Sequence, residues 1–216
     1  MNRITANAQG RASDPVAHGT GRPRCLAAIA VVLAAMTLVV LDAAKAGVAL
    51  PSIAQSLHAT PAVSVWGVIA YQTALVMALL PCAALGDGLG HRRVFTAGVA
   101  VFTVASGLCS LAPSIPWLVA ARFLQGLGGA AVMSLAVALL RGIVPQQRFG
   151  PAIAWNALVV ALSTAAGPVI GSTILSATSW PGLFAANLPL GLAVLLGSRM
   201  LPASSGTAAR PDPVSV

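Results

Sequence analysis

Between Lys45 and Asp87 the chain carries not one Asp, Glu, Lys or Arg. An element facing water needs charge on its outer side, and charged residues make up roughly 25% of an ordinary soluble domain. Here only 7% of 216 residues are charged, while 57% are hydrophobic. That is too little charge to cover a globular surface in water. A helix crossing a bilayer needs about 20 mostly apolar residues, so the charge-free stretch is too long for one crossing. A polar segment with a proline at each end, 51–61, divides it. Applied along the chain, the same reasoning gives six membrane-spanning helices at about 26–50, 62–85, 94–111, 117–140, 152–175 and 183–200. The expected fold is an all-α membrane bundle over 26–201, flanked by a basic N-terminal tail, 1–25, and a small polar C-terminal tail, 202–216. The first apolar stretch is too long, and follows too much polar sequence, for a cleaved signal peptide.

Twelve Lys and Arg against four Asp give a net charge of +8. Such a balance invites a nucleic-acid reading, and the positions of the charges dispose of it. Arg3, Arg11, Arg22 and Arg24 precede the first span; Arg92 and Arg93 follow the second; Arg141 and Arg148 follow the fourth; Arg199 and Arg210 follow the sixth. The alternate connections, 51–61, 112–116 and 176–182, hold no basic residue. Ten of the twelve therefore fall on one side, which by the positive-inside rule is cytoplasmic and carries both termini. The expected setting is the cell membrane, with lipid as the surrounding partner and no nucleic acid. Cys25, Cys82 and Cys109 show neither metal-ligand spacing nor a disulfide framework. No nucleophile–base pair, metal cluster or phosphate loop suggests an enzyme, a cofactor or a metal.

Asp42, Lys45 and Arg122 remain, inside predicted spans. Each charge at a helix centre costs about 2.5–3.5 kcal/mol on insertion scales, so such groups face a partner or an aqueous cavity. Asp42 and Lys45 are three residues apart on one face of the first helix, as are Arg122 and Gln125 on the fourth. At 1.5 Å per residue, Asp42 lies about 13 Å from the outer end of its helix, Arg122 about 9 Å and Gln125 about 13 Å. The two helices run in opposite directions, so these groups share one layer and are expected to converge. A desolvated carboxylate beside a cation can have its proton affinity tuned in either direction, which suits a proton- or substrate-coupling site. Two plainer readings stand beside this one. Lys45 is close enough to the interface to snorkel, and Arg122 can tie helices together through backbone carbonyls. Small residues also recur: Gly126, Gly128, Gly129 and Ala130 on the fourth helix, and Ser163, Gly167 and Gly171 beside Pro168 on the fifth. Both stripes suit close helix packing.

Five motifs in order resemble the major facilitator superfamily, in its fourteen-helix drug:proton antiporter branch. Leu41-Asp42-Ala-Ala-Lys45-Ala-Gly47-Val-Ala-Leu-Pro51 resembles the branch's LDxTxxNVALP signature. Leu85-Gly-Asp87-Gly-Leu-Gly90-His-Arg92-Arg93 is similar to the superfamily's GxLaDrxGrR loop. Arg122-Phe-Leu-Gln125-Gly126 resembles RxxqG, and Gly167-Pro168-Val-Ile-Gly171 resembles the antiporter motif gxxxGPxxGG. Trp180, Phe184, Asn187, Pro189 and Gly191 match WxxxFxxNxPxG. The resemblance implies proton coupling or cavity organisation for Asp42 and Arg122, with Lys45 and Gln125 beside them. It implies a cytoplasmic charge latch from Asp87, Gly90, Arg92 and Arg93, and a hinge-like helix facing the other half of the transporter at Gly167, Pro168 and Gly171. Ala44 and Gly47 stand where the signature has Thr and Asn, and Lys45 where it has an apolar residue.

Superfamily transporters have two six-helix halves with the substrate site between them, and all five motifs belong to the first. The implied function is the N-terminal half of a proton-coupled efflux antiporter for small amphipathic compounds, completed by a second half or by a homodimer. The alternative is a truncated, non-transporting remnant, or an interaction module that associates with intact transporters.

Overall fold

The computed structural model describes residues 22–201, with backbone only for 22–24. Most of the expected N-terminal tail and all of 202–216 lie outside the described residues. The elements are α1 (Arg22–Ser56), α2 (Pro61–Ser64), α3 (Trp66–Leu89), α4 (His91–Ser110), α5 (Ile115–Ile143), α6 (Gln146–Ala177), α7 (Trp180–Ala185) and α8 (Asn187–Gly197), then a 3-10 turn at Ser198–Met200. No strand occurs among the described residues. Six helices are long and apolar enough to cross a membrane: α1, Pro61–Leu89, α4, α5, α6 and Trp180–Met200. The protein is an all-α bundle of six such spans.

The helices overrun the lengths that hydropathy suggests. The first, expected at 26–50, starts at Arg22 and continues through Pro51 to Ser56. A proline inside a helix forfeits one backbone hydrogen bond, whereas ending a helix leaves four carbonyls unpaired. In an apolar surrounding the helix therefore runs through its proline. Pro81, Pro151 and Pro168 also sit inside helices. The second and sixth spans are each interrupted once, at Val65 and Ala186, and both of these residues keep right-handed helical backbone angles. The third span begins at His91 rather than near 94, because a single residue, Gly90, makes the turn from α3. Its φ of 97° lies where side-chain-bearing residues are rarely found.

α5 is the central post, with α3 and α4 packed along it. Its small residues allow that approach. A Cβ added at Gly128 would lie 2.6 Å from the Phe102 backbone nitrogen and 2.7 Å from the Gly98 carbonyl oxygen. One added at Gly126 would collide with the Tyr71 carbonyl. Two apolar clusters result. The larger includes Val39, Tyr71, Phe95, Phe102, Leu135 and Val194. The smaller includes Ala49, Ile53, Cys109, Leu118, Trp180 and Phe184, toward the end of the bundle whose connections lack arginine. On α1, α4, α5 and the sixth span alike, one short stretch separates the two clusters. Those stretches hold the buried Asp42, Lys45, Ser106, Arg122, Gln125 and Asn187.

Replacing Gly128 with Leu is expected to push α4 off α5 and cost about 1–3 kcal/mol. Gly142, which has open space around its missing Cβ, should accept Ala without loss. Unfolding midpoints in detergent would compare the two.

Candidate functional site

Four spans send polar side chains into the layer between the apolar clusters. Asp42 and Lys45 come from α1, Ser106 from α4, Arg122 and Gln125 from α5, and Asn187 from α8; all six are buried. Arg122 Nη1 donates to Asp42 Oδ2 at 2.6 Å and to Gln125 Oε1 at 2.7 Å. Gln125 Nε2 donates to Ser106 Oγ at 2.8 Å, and Ser106 in turn donates to the Phe102 carbonyl. Asn187 Nδ2 donates to Asp42 Oδ1 at 2.6 Å, with a longer approach to Ser106 Oγ at 3.3 Å. Lys45 Nζ donates to Asn187 Oδ1 at 2.6 Å. Each carboxylate oxygen thus has a strong donor, and one carboxamide stands between the carboxylate and the ammonium.

The guanidinium lies against two aromatic rings as well as being paired. Its carbon lies 4.2 Å from the Tyr71 ring centre and 5.5 Å from that of Phe184. Both rings belong to residues that are themselves buried, and such contacts strengthen where water is excluded. Tyr71 Oη donates to the Val39 carbonyl, fixing its ring beside α1. Beyond Arg122, toward the arginine-free end, lies a cavity of about 10 Å³ bounded in part by Ser64, Gly67, Leu118 and Phe184. That is room for about one water molecule, far below the roughly 300–1,000 Å³ of a small-molecule pocket.

The sequence-derived residues fall into three places. Asp42, Lys45, Arg122 and Gln125 are brought together. Lys45 does not snorkel: it is 2% exposed and turned inward. It also meets Asp42 only through Asn187, since no ion pair joins the two directly. The loop group divides. Asp87 Oδ1 lies 3.1 Å from His91 Nε2 rather than against Arg92 or Arg93. Arg92 instead donates to the Arg199 carbonyl at the end of the sixth span, at 3.2 Å, and Gly90 makes the turn. Gly167 and Gly171 are buried against α1 of the same bundle. A Cβ at Gly167 would collide with Ala44, and one at Gly171 would lie 3.0 Å from Lys45 Cβ. Pro168, Val169 and Ile170 form the exposed side of that helix.

Five contributors escaped the choice of site residues, Phe184 among them although a matched motif includes it. Asn187 carried a signal, being an amide within an apolar span and part of a matched motif. His91 stands beside the matched loop residues. Ser106 and Tyr71 carried none, because a serine or a tyrosine in a span is ordinary until a partner is seen.

A six-helix bundle with membrane-buried charges joined across four spans has the architecture of a polytopic transport protein. The chain belongs to the Major Facilitator Superfamily, whose family model matches residues 27–215. It is 46% identical over 196 residues to the uncharacterized transporter YebQ of Escherichia coli (strain K12), covering 90% of this chain and 43% of that protein. It is 38% identical over 193 residues to the tetracenomycin C resistance and export protein of Streptomyces glaucescens, covering 89% of this chain and 35% of the relative. The chain thus spans less than half the length of these curated relatives. Among solved structures it resembles the proton:xylose symporter XylE in fold, with a TM-score of 0.74 at 14% identity over 84% of this chain and 46% of that one.

Asp42→Asn should destabilise the bundle more than Arg122→Gln. The first leaves two buried cations without a carboxylate, a loss on the order of 3–5 kcal/mol for a broken buried pair. The second leaves Asp42 with Asn187 and, through it, Lys45. Thermal unfolding in detergent of the two variants would reveal the order.

Proposed function

We propose that this chain is the N-terminal six-helix half of a proton-coupled exporter of small amphipathic molecules. It lies in the cell membrane with its arginine-bearing connections in the cytoplasm. The observation that carries this reading is the buried Asp42, held at once by Arg122 of α5 and Asn187 of α8. A proton on Asp42 would remove the charge that holds these two donors and so loosen α1 from two other spans. That links proton occupancy to helix position, which alternating access requires. Export is supported by the tetracenomycin C export protein among the relatives.

The small cavity beside Arg122 cannot enclose such a cargo, so in this reading the cargo binds between this half and a second six-helix half, a role that a second copy of the chain can fill in vesicles. One competing reading is a non-transporting module that associates with intact transporters.

The experiment is reconstitution of the purified chain into vesicles with an imposed pH gradient and a panel of fluorescent amphiphiles. Gradient-driven dye movement above protein-free vesicles, lost in Asp42→Asn, is the expected result. Movement unaffected by Asp42→Asn would remove Asp42 from coupling. A monomer by native mass with no flux would favour the non-transporting module.

A further inference from the structure

The charges of the buried layer do not balance. Among the described residues, Asp42 is the single acidic side chain inside the bundle; Asp87 sits at the end of α3 with its side chain 77% exposed. Against one carboxylate stand two buried cations, Lys45 and Arg122. Both carboxylate oxygens are already taken, Oδ2 by Arg122 and Oδ1 by Asn187. A positively charged ligand would find no free acceptor there and would meet an excess of like charge in a medium that screens poorly.

Lys45 is the complementary case. An ammonium has three donors, and Lys45 Nζ uses one, on Asn187 Oδ1. Its other two have no acceptor among the described residues. A buried ammonium in that condition is costly, and an anion relieves the cost twice, by charge and by hydrogen bonding.

Access to Lys45 is controlled by α6. That helix covers Lys45 at Gly171 and Ala44 at Gly167. Its only buried residues are the small Ala152, Ser163, Gly167 and Gly171. Its described side chains make no hydrogen bond to any other helix; those of Thr164, Ser172, Thr173 and Ser176 go to its own backbone. Apart from Arg141 of α5, whose guanidinium carbon lies 5.2 Å from the Phe149 ring centre, α6 is held by van der Waals contact over a smooth stripe, so its displacement uncovers the ammonium without breaking a hydrogen bond.

We propose that Lys45 is an anion-recognition group and that the cargo is an amphipathic organic anion, such as a carboxylate, rather than a cation. This inference rests on the transporter reading for its physiological meaning but is tested by binding alone. The purified full chain in detergent would be titrated with two xanthene dyes of similar ring and opposite charge, anionic fluorescein and cationic rhodamine 6G, followed by dye anisotropy. Fluorescein should bind about tenfold more tightly or better, the size expected for a charge-assisted hydrogen bond. Lys45→Met should remove that preference and Lys45→Arg should keep it. The dye preference is measured on the unaltered chain, so it stands or falls even if a variant fails to fold. Equal or tighter binding of rhodamine 6G, no binding of either dye, or fluorescein affinity unchanged in Lys45→Met would each overturn the proposal. Rhodamine 6G flux in vesicles without fluorescein binding would overturn it while leaving the transporter reading intact. Fluorescein binding without flux would do the reverse.

Discussion

A carboxylate removed from water must find compensation for each oxygen, and the centre of this bundle is arranged around that requirement. Asp42 takes a guanidinium on one oxygen and a carboxamide on the other, each at 2.6 Å. The donors come from two helices other than its own, so the ionised carboxylate fixes three spans relative to one another. Ser106 and Gln125 extend the same connections to α4. Replacement of such a layer by apolar residues is often neutral or even stabilising in proteins.

Close backbone packing makes those short bonds reachable. Gly126 and Gly128 let α3 and α4 approach α5 until there is no room for a side chain between them. Ala44, in place of a larger residue, does the same for Gly167 of α6. The interruption at Ala186 falls beside Asn187, the residue through which the sixth span delivers its amide. The polar layer and the small-residue contacts are therefore one arrangement. Enlarge a glycine and the donors no longer reach; remove the donors and the close approach encloses an uncompensated charge.

The six spans were legible because a bilayer needs length and hydropathy, and both are local properties. The meeting of Asp42 with Arg122 was legible for a related reason, since helical rise fixes depth and antiparallel helices at one depth can touch. Rotation about the helix axis was harder to read. Nothing in the residues around Lys45 says whether its stem points to the interface or inward, and only the position of Asn187, 142 residues away, decides it. Helix ends are harder to read, because a proline is expected to end a helix in water, where an early stop costs little. The Asp87–His91 contact crosses the Gly90 turn between α3 and α4, so the four-residue spacing in the sequence does not by itself reveal it.

The network also has an order in time. Asp42 is 80 residues ahead of Arg122 and 145 ahead of Asn187. At translation rates of 5–20 residues per second, about 7–29 s separate synthesis of the carboxylate from synthesis of its last partner. Until Arg122 is made, α1 carries a carboxylate and an ammonium on one face with only each other for company. A nascent first helix in that state is a poor candidate for early release into lipid. It has reason to stay beside the insertion machinery, or in another polar shelter, until the fourth and sixth spans emerge. The apolar clusters can form as their helices arrive, and the ionic layer between them closes last.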